Sequence, residues 1–150
     1  MTLWQWVVDW AAVLLGVPLC YGVLLVVRRR WISREGGTFE LSWRRKTTAA
    51  GRGWVLGIGR YSHDELQWFR IFTPSLRPKE SLRRERLRYL GVRVPGKEEA
   101  HSLYPENVVV RCELDGRQFE ISMSSRALVG FQSWLEAAPP TDPALRRRRT

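Results

Sequence analysis

From Trp10 to Val27 the sequence WAAVLLGVPLCYGVLLVV runs 18 residues without a charge. At about 1.5 Å per residue such a run makes a helix of roughly 27 Å, close to the thickness of one hydrocarbon core. Extending it back to Leu3 adds Trp4, Trp6, Val7 and Val8 but takes in Asp9, so the span is expected to begin around Val8 to Trp10 with Asp9 hydrated at the interface. Trp4, Trp6 and Trp10 then form an aromatic belt, the level at which amphipathic rings are favoured. Arg28, Arg29 and Arg30 abut the other end, followed by Trp31 and Arg34, and nothing basic precedes the run. By the positive-inside rule the N-terminus faces outward and the rest of the chain faces the cytoplasm, which places the protein in the plasma (inner) membrane as a single-pass protein. A signal peptide carries its positive residues before the apolar run and small residues after it, the reverse of the order here. Val-Pro-Leu before Cys20 lacks the small residues of a lipoprotein site.

The charge beyond the span is uneven. Net charge is −1 over residues 1–27, +12 over 28–97, −5 over 98–145 and +4 over 146–150, within a total of +10. A surface with one strongly basic side suits anionic partners, and it also serves solubility and orientation.

Periodicity divides the remainder into residues 1–30 as anchor, 31–37 as linker, 38–138 as a β-rich domain and 139–150 as a disordered basic tail. Phe39, Leu41 and Trp43 alternate, as do Trp54, Leu56 and Ile58. With the turn formers of YSHDE before LQWFRIFT, residues 53–73 read as a hairpin that Pro74 and Pro78 end. Glu80–Val94 fits helix or strand, with strand favoured from about Arg86, and 95–107 reads as a polar loop. VVVRCELD and RQFEISMS flank Asp115-Gly116, a hairpin turn pair. Val108, Val110, Cys112 and Leu114 should share one face with Phe119, Ile121 and Met123. Ser124 or Ser125 can cap a final helix with Leu128, Phe131, Trp134 and Leu135 in one stripe, stopped at Ala137 to Pro140. The fold class is mainly β (α+β): an N-terminal transmembrane helix, then a small antiparallel pleckstrin-homology-like barrel or sheet with a C-terminal amphipathic helix.

The N-terminal span with its arginines, GTFELSWR, GRGWVLGIGRYSHDELQWFRIF and ALVGFQSWLEAAPP resemble the actinobacterial membrane proteins of the family called domain of unknown function 2550. The resemblance runs from the span to Pro140. It implies a single-pass membrane protein, with genes often beside those of the F-type ATP synthase, and it carries over no catalytic residue.

No catalytic residue, metal site or cofactor is expected. His63 and His101 lie far apart, and no CxxC or HExxH pattern is present. Cys112 falls on the inward face of a strand and Cys20 within the span. Gly57 and Gly59 lack the third glycine of a phosphate cradle and read instead as room for a bulky neighbour such as Trp54 or Trp134. Carboxylates Asp64, Glu65, Glu98 and Glu99 are placed in exposed turns. The chain therefore reads as a non-catalytic binding or scaffolding module for another membrane protein or complex. The first alternative is sensing of anionic lipid headgroups or a ligand through Arg44, Arg45, Lys46 and Arg52, because an arginine fork donates two hydrogen bonds to phosphate at once. Trp10, Arg28, Arg29, Arg30 and Trp31 are the membrane-flanking residues. Nucleic-acid binding is not expected, since Trp43, Trp54 and Trp68 fall on buried faces.

Overall fold

The apolar run and its arginine flank form one continuous helix, α1 (Leu3–Arg34), in the computed structural model, which describes residues 2–34, 36–44 and 52–137. It is the one helix among the described residues long and apolar enough to cross a membrane, and a signal sequence meets the same requirement of length and composition. The helix does not stop at Arg30: residues 31–34 of the expected linker continue it. Pro18 lies inside it. The chain forms two compact units, one comprising α1 together with residues 72–76, the other holding the β domain.

In the β domain the alternating residues make strands, and the first two strands bend. Thr38–Glu40 (β1) and Ser42–Arg44 (β2) are halves of one strand broken at Leu41, and Trp54–Val55 (β3) and Gly57–Ser62 (β4) are halves of a second broken at Leu56. Glu65–Arg70 (β5), Glu80–Arg83 (β6), Leu87–Arg93 (β7), Asn107–Leu114 (β8) and Arg117–Ser124 (β9) complete the set. One antiparallel sheet has the order β1-β4-β5-β6, the other β3-β2-β9-β8-β7, so each bent strand contributes to both. The expected class, mainly β with an apolar N-terminal helix and a C-terminal helix, is what the chain adopts.

The hairpin over 53–73 is present as β3/β4 and β5, its turn marked by His63 at φ +52°. In Glu80–Val94 the strand from about Arg86 is β7, but Glu80–Arg83 is also a strand, paired through Leu66↔Leu82 with β5, and a single 3-10 turn separates the two. The expected loop 95–107 contains a short helix, α2 (Lys97–Ala100). Asp115 and Gly116 both take positive φ, the conformation a two-residue hairpin requires.

α3 (Ser125–Glu136) starts at Ser124, whose hydroxyl accepts from the Ala127 amide at 3.2 Å. Its Phe131 is fully buried in the core that also holds Leu41, Leu66, Val110, Ile121 and Met123, with Leu128, Trp134 and Leu135 packed against that core. All four residues of the expected stripe thus meet the core. Gly57 and Gly59 do admit bulky neighbours, though different ones: Trp68 crosses Gly57, and Phe39 and Leu41 crowd Gly59.

Candidate functional site

Of the residues expected to hold an anion in the first hairpin loop, Arg45 and Lys46 lie outside the described residues and Arg52 is exposed. Arg44 lies elsewhere chemically. Its Nη1 reaches Glu120 at 2.5 Å and Glu99 at 3.2 Å, while Arg93 grips Glu99 through two hydrogen bonds of 2.6 and 2.9 Å and meets Glu120 at 3.0 and 3.1 Å. Two arginines and two glutamates from β2, β7, β9 and α2 therefore close a neutral network. Glu99, expected in an exposed turn, is buried, and it also accepts from the Gly96 amide at 3.0 Å. The hydrogen bonds from Arg93 hold its carboxyl at about 2, well below the usual carboxylate range, against the opposing effect of burial. Burial alone would raise Glu120, but hydrogen bonds from Arg93 and Arg44 keep it below its ordinary value. The same bonds raise Arg93 above the usual guanidinium value. A charge set this well satisfied locks elements together and leaves Arg44 little capacity for phosphate.

A second basic feature lies between the two sheets of the β domain. Trp43, Val55 and Trp68 floor a cleft of about 270 Å³ rimmed by Arg70, Lys79, Glu80 and Arg117. Trp68 itself is tied to the Leu41 carbonyl by its indole N–H at 2.7 Å. Three cations against one carboxylate give the rim an anion preference. Sequence reasoning missed the three cations of this rim because they come from β5, the segment before β6, and β9, so nothing in the local pattern joins them.

The third feature is the edge of the five-stranded sheet. Among the described residues β7 pairs with β8 on one side only, and its register slips between Tyr89 and Gly91, which leaves Leu90 as the extra residue of a bulge. Tyr89, Leu90, Val92 and Val94 expose large apolar side chains there, Val94 to 81%. Scattered apolar residues are ordinary, but four along one sheet edge make a patch.

Among the residues expected to flank a membrane, Trp10, Arg29, Arg30 and Trp31 are exposed along α1. Arg28 is buried and donates from Nε to the Ser75 carbonyl at 2.6 Å. Tyr21 donates to the Phe72 carbonyl at 3.2 Å within the same unit. His63 is used through its main chain, whose carbonyl accepts from the Trp134 indole at 3.3 Å. Cys112 is fully buried on β8, and burial pushes its thiol up to about 12.

Comparison with known proteins gives uncharacterized relatives across nearly the full chain. The uncharacterized protein Rv1312 of Mycobacterium tuberculosis is 34% identical over 141 residues, covering 91% of this chain and 93% of the relative. The uncharacterized protein ML1147 of Mycobacterium leprae is 32% identical over 140 residues, covering 91% and 93%. With residues 15–141 also matching the family described as "Protein of unknown function (DUF2550)", from within α1 to beyond α3, the chain belongs to that family.

Proposed function

We propose that the protein is a single-pass membrane protein of the plasma membrane, N-terminus outside, whose cytoplasmic β domain is a non-catalytic module that binds another membrane protein. The observation that carries this reading is the apolar edge of β7. A strand edge presents unpaired N–H and C=O groups in a row, and an extended segment of a partner can add to it while side-chain contacts supply selectivity. Tyr89, Leu90, Val92 and Val94 provide those contacts here. Retention of the N-terminal helix is supported by Tyr21 and Arg28, which act as partners of residues 72–76 and not as part of a leader to be discarded. The order of seven antiparallel strands, counting β1/β2 and β3/β4 as one each, followed by a helix in the core, supports the pleckstrin-homology-like reading of the domain.

A photo-crosslinking residue in place of Val92 or Val94, in the full chain in native membranes, should yield one dominant protein adduct. A control at the exposed Gln118 should not, and Leu90→Asp should abolish the adduct. Equal, diffuse labelling at all three positions would dismiss β7 as a docking edge. The second reading, sensing of anionic headgroups or a ligand, draws support from the rim of Arg70, Lys79 and Arg117 over Trp43 and Trp68. Lys79→Ser with Arg117→Ser should then weaken binding of the full chain to inositol phosphate without changing its fold. Nucleic acid is the weakest of the readings, because Trp43 and Trp68 are committed to the core.

A further inference from the structure

Between Arg70 and Arg77 the sequence Ile-Phe-Thr-Pro-Ser-Leu carries no charge and connects β5 to β6. Five of these residues, 72–76, fold with α1 and not with the β domain. Two side chains of α1 hold them: Tyr21 on the Phe72 carbonyl and Arg28 on the Ser75 carbonyl. Phe72 is 73% exposed and Leu76 55% exposed, so neither apolar side chain is covered.

The position of these bonds along α1 sets a depth. Tyr21 lies six residues before Val27, the end of the uncharged run, hence about 9 Å back along the axis toward the bilayer centre. Helical side chains lean toward the N-terminus, which carries the Tyr21 hydroxyl no closer to the arginine end. The Phe72 carbonyl it binds is therefore below the level of Arg28 to Arg30. Irregular backbone survives at such depth only when its polar groups are satisfied by protein. Here the carbonyls of Phe72 and Ser75 have donors on α1, and Pro74 brings no N–H that would need an acceptor.

We propose that residues 72–76 are a membrane-inserted loop, with Phe72 and Leu76 seated in the acyl-chain and headgroup boundary of the leaflet that receives the C-terminal end of α1. The occupant of this apolar surface is lipid, because between the two fastening residues the helix itself exposes apolar side chains, Val23, Leu24, Val26 and Val27. The proposal rests on α1 being a retained span. Arg70 and Arg77, which bracket the uncharged stretch, mark where the chain leaves and regains polar surroundings.

The test uses the full chain with Cys20→Ser, Cys112 being buried, reconstituted in vesicles of phosphatidylcholine and phosphatidylglycerol. Phe72→Cys, Leu76→Cys, Leu14→Cys within the span and Asp115→Cys in the exposed hairpin turn are each labelled with an environment-sensitive fluorophore. Phe72 and Leu76 labels should be blue-shifted, quenched by nitroxide placed near the headgroup end of the lipid chain, and protected from iodide, whereas the Asp115 label is quenched by iodide. If the Leu14 label is in lipid while those at Phe72 and Leu76 respond to iodide as Asp115 does, the loop proposal is overturned and the span stands. If Leu14 is itself water-exposed, the span fails and the loop falls with it. Both exposed positions lie outside the core, so cysteine there leaves folding intact.

Discussion

A Cβ built on Gly57 would run into the Trp68 indole nitrogen and lie 2.6 Å from the Phe69 carbonyl, whereas one on Gly59 meets side-chain atoms of Phe39 at 2.7 Å and Leu41 at 3.0 Å. Backbone cannot retreat as side chains can, so Gly57→Ala should cost about 3 kcal/mol and Gly59→Ala less, on the scale of overpacked cores. Urea unfolding of the two variants in detergent would rank them, and equal midpoints would contradict this account of Gly57. Residue type made it legible that these glycines admit bulk, but not which bulk. Trp68 reaches Gly57 across the β4–β5 pairing, a relation that register sets and local spacing does not. Cys112 was readable as an inward strand position, and its environment fixes a chemical outcome. With the thiol raised by burial and no exposed surface, it should resist alkylation at pH 8 until denaturant is added. Mass spectrometry after timed labelling would follow it, and modification in the native state would refute the placement.

Between elements, the network of Arg44, Arg93, Glu99 and Glu120 clips α2 to three strands of one sheet. Glu99 titrates near 2 when folded against an ordinary 4.5, so the unfolded chain binds its proton at higher pH than the folded one. Its contribution is complete above about pH 4.5 and fades as pH falls toward 2. Denaturant midpoints measured across that window should decline. Glu99→Gln should lower stability at neutral pH by about 2 kcal/mol, by loss of charged hydrogen bonds, and flatten the decline. The hairpin β8–β9 and the stripe on α3 could be read beforehand, because Asp115-Gly116 and the i, i+3, i+7 spacing are local signals. Phe131→Ala, which empties the centre of that stripe, should cost about 4 kcal/mol and is best followed by loss of the cooperative melting transition. β6 escaped the same reasoning, since ESLR is four residues long and buries Leu82 alone. Its strand character comes from pairing with β5.

At the scale of the whole chain, a retained span makes a prediction that a leader does not. The protein isolated from native membranes should resist carbonate extraction and keep its N-terminal residues on sequencing, whereas a mature N-terminus beyond Arg34 would identify the helix as a leader. The long apolar helix, the fold class and the family membership were accessible from local patterns along one dimension. The candidate surfaces were less so. The run Arg44, Arg45, Lys46 suggests free cations, yet the partners of Arg44 sit 55 and 76 residues farther on, at Glu99 and Glu120. Folding alone assembles the rim of Arg70, Lys79 and Arg117 and the edge formed by β7. The closing pair of the β domain, Ser42↔Ser122, joins strands 80 residues apart. At a synthesis rate of about 5–20 residues per second, roughly 4–16 s separate the two serines on the ribosome. For that interval α1 is already made while Trp43 and its neighbours wait uncovered for β9, so the nascent chain has its long apolar helix in hand before it has a finished domain.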